Sequence, residues 1–187
     1  MVRFRTLAMS LFTAAICLSA PVSAQDLSVE EITEAFKKQK TRGLVIVPNA
    51  AEGSVAEDTE TATVATAAEA YNALDEASQI NVQISFDFDS ATLRDDQKPK
   101  LANMCASMKA MDDTVFQIIG HTDSSGSATY NERLSLLRAQ EVRRHLVSDC
   151  GVSADSLKAI GMGETAPFNA EDPRADENRR VEFQALG

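Results

Sequence analysis

From residue 80 onward, the hydrophobic positions fall into blocks whose spacing switches between two and three-to-four residues. Val82, Ile84, Phe86 and Phe88 alternate with polar residues, which predicts a strand over 81–88 with one buried face. A polar loop follows at 89–93. Leu101, Met104, Cys105 and Met108 then recur at helical spacing, predicting a helix over about 95–111 with Pro99 in its first turn. Residues 114–119 (TVFQII) read as a second strand that is apolar on both faces, and hence central. After a glycine-containing loop at 120–127, residues 129–150 predict a long helix, with Gly151 placed for a left-handed cap. Shorter apolar runs at 156–160 and 180–185 predict two more strands, separated by a charged loop at 169–178. The order is β-α-β-α-β-β. It defines an α/β (α+β) sandwich whose helices pack on one mixed sheet.

The first 79 residues differ in character. Arg3 and Arg5 precede an apolar run at 7–18, and Val22, Ser23 and Ala24 supply small residues for cleavage. Residues 1–24 therefore read as a secretory signal peptide. The competing reading, an uncleaved anchor, needs about 20 apolar residues to cross a bilayer. Ile16 before Cys17 speaks against lipidation of that cysteine. Residues 25–79 read as a short N-terminal segment and flexible linker. Ser28 and Glu31 have capping-box spacing, and Ile32 and Phe36 give the following helix an apolar edge. Residues 41–47 suggest a brief strand, 49–66 a linker and 67–77 a weak helix. No later stretch is apolar enough for a membrane helix, and the region before residue 80 is too short for an eight-stranded barrel.

Composition narrows the function. The formal net charge is −10, and losing Arg3 and Arg5 would make it more negative still. An acidic chain argues against nucleic-acid binding, which requires a basic face, and against a polybasic membrane patch. Beyond residue 24, Cys105 and Cys150 remain. An even count in an exported chain suggests a disulfide, the alternative being two buried thiols.

The long helix contains a puzzle. With Leu134 at zero and a step of about 100° per residue, Val142, Leu146 and Ala139 fall near 80°, 120° and 140°. Glu132, Arg133, Gln140, Arg143 and Arg144 lie opposite; Leu136 falls outside the apolar sector. Arg138 at about 40° and Asn131 at about 60° sit inside it. An inward guanidinium needs a carboxylate, because an uncompensated buried charge costs several kcal/mol. Asp123, just after the second strand, could supply it as a structural ion pair. Alternatively, both residues line a pocket at the strand's C-terminal end and bind a zwitterion, the arginine gripping a carboxylate and the aspartate an ammonium. Asn131, two turns before Arg138, adds an amide to that face.

Gly120, His121, Thr122 and Asp123, then Gly126, Asn131, Leu134, Ser135, Arg138 and Ala139 keep a recognisable order and spacing. So do Gly161, Gly163, Glu164, Pro167 and the run Asn178, Arg179, Arg180, Val181. Together with Ile84, Phe86, Phe88, Asp89 and Ser90, they resemble the OmpA-like C-terminal domain over residues 80–187. The resemblance implies non-covalent peptidoglycan binding through diaminopimelate of the stem peptide. It implies that Asp123 meets the ammonium and Arg138 the carboxylate, with Asn131, Arg179, Asp89 and Thr122 lining the site. It also implies a stand-alone periplasmic form associated with peptidoglycan and the outer membrane. Two departures stand out: Met162 replaces a common aromatic, and the acidic stretch 171–177 replaces a glycine-containing loop.

His121, Asp123, Ser124 and Ser125 are the ingredients of a hydrolase, but they are crowded into one loop and no Gly-x-Ser-x-Gly elbow is present. The expectation is that the protein is not an enzyme. Asp87, Asp89 and Asp123 lack EF-hand spacing and the cysteines lack zinc-finger spacing, so no metal or cofactor is expected. A third reading makes residues 26–47 a recruiter of an outer-membrane or periplasmic protein partner.

Overall fold

The computed structural model describes residues 27–43, 71–87 and 89–186. The expected signal peptide, the linker at 49–66 and Phe88 lie outside these residues. Four strands form one mixed sheet: β1 (Ile80–Val82), β2 (Val115–His121), β3 (Leu157–Gly163) and β4 (Val181–Leu186). Their spatial order is β1-β4-β2-β3. β4 runs antiparallel to both β1 and β2, and β2 runs parallel to β3. Among the described residues three α-helices accompany it: α1 (Val29–Gly43) and α3 (Ala128–Ser148) lie against its strands, and α2 (Ala102–Lys109) packs beside α1 in the same core. β2 is flanked on both sides, as its two-faced apolarity predicts.

The first predicted strand is shorter than its alternation. Val82 and Ile84 are buried, with exposed Gln83 between them, yet pairing ends where Val82 meets Val181, the first residue of β4. Beyond that point there is no strand to pair with, since the chain before β4 turns through a 3-10 helix at Asp176–Asn178. The Ser85 N–H donates instead to Gln97 Oε1 at 3.1 Å. Alternating burial therefore persists without a hydrogen-bonded ladder. The predicted helix at 95–111 likewise divides into a 3-10 turn at Lys98–Leu101, carrying Pro99, and α2.

α1 begins at the capping box that the sequence contains. Ser28 N donates to Glu31 Oε2 at 2.8 Å, and Glu31 N donates to Ser28 Oγ at 3.2 Å. Ile32 and Phe36 are fully buried, and the Phe36 ring meets Phe116 of β2 edge-on at 4.9 Å. Gln39 completes the dock. β1 starts opposite Phe183, so among the described residues the edge of β4 beyond it has no strand neighbour. Gln39 Oε1 accepts the Ala185 N–H at 2.8 Å, and its Nε2 donates to Ser78 O at 2.9 Å, satisfying buried backbone groups. Residues 41–43, expected to start a brief strand, continue α1 instead, while 44–47 lie outside the described residues. Of the weak helix expected at 67–77, only a 3-10 turn at Glu76–Ser78 forms among the described residues.

α3 starts at Ser127, whose Oγ accepts the Tyr130 N–H, and stops at Gly151 with φ 72°, the left-handed cap predicted. The Sγ atoms of Cys105 and Cys150 lie at bonding distance with Cα atoms 5.7 Å apart, tying α2 to the end of α3. The helix lies directly on β2 and β3. A Cβ on Gly120 would come within 2.1 Å of Ser135 O, and one on Gly161 within 2.4 Å of Leu136 N. Ser135 Oγ accepts the Gly163 N–H at 2.9 Å in this contact.

The sheet's second face is polar and buried. Glu182 accepts from Tyr71 Oη at 3.2 Å and from Gln184 Nε2 at 2.8 Å, and meets His121 Nε2 at 3.0 Å. Arg180 Nη2 lies 3.8 Å from the same carboxylate.

Gly161→Ala should cost about 1–3 kcal/mol, because α3 must move off the sheet to admit a methyl group. Urea unfolding measures this; wild-type stability would show that the helix has room to shift.

Candidate functional site

The C-terminal end of β2 delivers the chain into the loop that carries Thr122 and Asp123. Thr122 N donates to Gly163 O at 2.8 Å, which pins this loop to the end of β3. Asp123 is 9% exposed. Its Oδ1 accepts the Ser125 N–H at 2.8 Å, closing the turn, and its Oδ2 accepts from Arg179 Nη1 at 2.6 Å. Arg179 also pairs with Asp176. Asn131, in the first turn of α3, donates to Asp123 O at 3.3 Å and to Glu164 Oε2 at 2.6 Å.

Arg138 lies two turns further along the same helix face and is half-buried. Its guanidinium sits 4.7 Å from the centre of the Phe86 ring, and Nε donates to Ser90 O at 3.1 Å. Among the described residues it has no ion-pair partner. The sequence left open a direct Asp123–Arg138 pair; the carboxylate is taken by Arg179 instead. Burial pulls the Arg138 guanidinium below the usual arginine range, and the like charge of Arg179 adds to this. The charges of Tyr130 and Asp123 oppose it without cancelling it.

Burial alone would raise the Asp123 carboxyl. The Arg179 hydrogen bond, the Ser125 backbone and side chain, and the Arg179 charge outweigh burial, so the net shift is downward. Each carboxylate oxygen has a second lone pair, so both can still accept from another donor. Asp89 adopts φ 53° and accepts from Tyr130 Oη at 2.6 Å. The structure thus gathers Asp123, Asn131, Arg179 and Thr122 around the end of β2. Arg138 and Asp89 are linked to that group through α3 and Tyr130.

Residues that sequence reasoning did not assign to the site also contribute. Phe86, read as the buried face of a strand, carries the Arg138 guanidinium. Tyr130, 42% exposed, holds Asp89 and precedes Asn131 on the helix. Glu164 follows the glycines of β3, and that motif was its available signal. Ser90 and Asp176 act through a backbone carbonyl and a loop carboxylate, for which no spacing rule exists. Two cavities, of about 1150 Å³ beside α1 and about 470 Å³ beside the cysteines, lie elsewhere. His121, considered with the loop serines as hydrolase machinery, is 2% exposed and turned onto Glu182 beneath Tyr71. Burial pushes its imidazole below the ordinary range.

This arrangement sits within a known class. The OmpA family model matches residues 85–180, just over half of the 187-residue chain, and the chain belongs to the OmpA family. It is 35% identical over 114 residues to outer membrane porin F of Pseudomonas aeruginosa, covering 60% of this chain and 33% of that protein. A MotB-like protein from Desulfovibrio vulgaris superposes with TM-score 0.50 at 27% identity, over 61% of this chain and 76% of that one. The OmpA-like domain of FopA1 from Francisella tularensis shares the fold, with TM-score 0.50 at 21% identity over 58% and 73% of the two chains. The chain spans about a third of the length of the porin F relatives. No helix among the described residues is long and apolar enough to cross a membrane.

The depressed Asp123 carboxyl gives a signed expectation. Its contribution to stability is present above the unfolded value of about 3.9 and is lost as pH falls through the lower folded value. Urea unfolding from pH 7 to 3 should therefore show the gap between wild type and Asp123→Asn narrowing below about pH 4. A constant gap would mean that Asp123 titrates as an ordinary carboxyl.

Proposed function

We propose that this domain binds peptidoglycan non-covalently by gripping the free amino-acid end of diaminopimelate in the stem peptide, anchoring the protein to the cell wall from the periplasm. Asp123 accepts the ligand ammonium, Arg138 holds its carboxylate, and Arg179, Asn131, Thr122 and Asp89 border the two. The observation that carries this reading is the state of Arg138. Its guanidinium is half-buried, oriented by Phe86 and Ser90 O, and without an ion-pair partner among the described residues. With Nε engaged, the two Nη groups have no hydrogen-bond partner among those residues and form a fork matched to a carboxylate. Membership of the OmpA family and the cationic pair Arg138 and Arg179 on an otherwise acidic chain support the same reading.

The N-terminal alternative, a recruiting module at 26–47, has less support. α1 spends its apolar edge, Ile32 and Phe36, on the core of the same fold.

Asp123→Ala and Arg138→Ala should each abolish co-sedimentation with purified sacculi while circular dichroism stays native. Normal co-sedimentation of both variants would show that the wall is held elsewhere.

A further inference from the structure

A second constellation lies at the far end of α3. Cys105, His145 and Cys150 each place one metal-ligating atom within 4.8 Å of the others. His145 Nε2 is 3.8 Å from Cys150 Sγ. Tetrahedral zinc, with Zn–S of about 2.3 Å and Zn–N of about 2.0 Å, needs an N···S separation of roughly 3.6 Å. The imidazole is oriented from behind. His145 Nδ1 meets Asp149 Oδ2 at 2.7 Å. A carboxylate accepts only, so Nδ1 is the donor in this contact, and in the neutral imidazole Nε2 is then the lone-pair nitrogen on the side of the sulfurs. Ser148 Oγ donates to Asp149 Oδ1 at 2.9 Å, and Lys98 Nζ lies 3.8 Å from Oδ2, which fixes the carboxylate in turn. The cavity of about 470 Å³ opens over the cluster, with Lys98, Lys109 and Asp149 at its wall. Two thiolates and an imidazole suit zinc rather than calcium or magnesium.

We propose that the dithiol form of this chain binds one zinc ion through Cys105, Cys150 and His145 Nε2, with the fourth position open to water, and that forming the Cys105–Cys150 disulfide expels it. The site is independent of the wall-binding reading. Expulsion is an exchange with a protein disulfide. The Cys150 thiolate attacks one sulfur of that disulfide, and the Cys105 thiolate then displaces the mixed bond. The Cys105–Cys150 bond forms as the partner's S–S bond breaks. Two electrons pass to the partner, whose two thiolates take up two protons from water and leave as a dithiol; zinc departs hydrated. The cysteines are 45 residues apart, outside any zinc-finger spacing, so only the fold brings them to His145.

The test uses the full chain, reduced with a phosphine that is then removed anaerobically, and titrated with cobalt(II) followed by zinc. The expected result is one equivalent of cobalt with thiolate charge-transfer bands, displaced by zinc. Oxidised glutathione should then release that zinc to a chromophoric chelator. The disulfide form should bind none. His145→Ala removes a ligand and should lose the stoichiometric site. Asp149→Asn changes an exposed side chain and should weaken zinc binding on the order of 10–100-fold without unfolding the protein. Sub-stoichiometric uptake by the reduced chain overturns the proposal. So does wild-type affinity in both variants, or a reduced chain whose circular dichroism shows the fold lost.

Discussion

The guanidinium of Arg138 is the constraint around which this domain is arranged. A half-buried cation without a counter-charge is costly, and the fold offsets that cost only in part. The Phe86 face contributes about 0.5–2 kcal/mol as a cation–π contact, and the Ser90 carbonyl takes one N–H. Neither neutralises the charge. The nearby carboxylate that would do so, Asp123, is committed to Arg179 and to its own turn. On the proposed reading, a ligand that carries both an ammonium and a carboxylate would give Arg138 its counter-charge and Asp123 a further donor.

The rest of the fold keeps that arrangement in place. α3 must carry Asn131 and Arg138 to the end of β2, and it reaches there by lying on two strands at glycine-only distance. Thr122 fastens the Asp123 loop to β3, and Asn131 ties the same loop to Glu164. On the opposite sheet face, the Glu182 carboxylate collects Tyr71, His121 and Gln184, which removes His121 from the site despite its place in sequence beside Asp123. Asp123 and His121 are separated because β2 ends between them.

Much of this was legible in the sequence. The period of each apolar block located the helices and strands, the Ser28–Glu31 box located the start of α1, and Gly151 located the end of α3. The angular position of Arg138 among the apolar residues of its helix singles it out in the sequence. The partner of Asp123 was not legible. Arg179 lies 56 positions away, and a charge pair at that separation leaves no local pattern. The extent of β1 was also hidden, since alternation at Ile84 and Phe86 reports burial, while the ladder depends on where β4 begins. The packing of α1 through Gln39 depended on an unfilled strand edge that only the assembled sheet defines.

The central claim is that the Arg138 guanidinium receives a ligand carboxylate while Asp123 receives the ammonium of the same molecule. Arginine side-chain NMR of the full chain, titrated with free diaminopimelate, tests it most directly. The account predicts saturable shifts of the Arg138 resonances, abolished by Asp123→Ala and absent with a dicarboxylic acid that lacks the amino groups. Unmoved Arg138 resonances at diaminopimelate saturation, or equal shifts with the amine-free diacid, would contradict it.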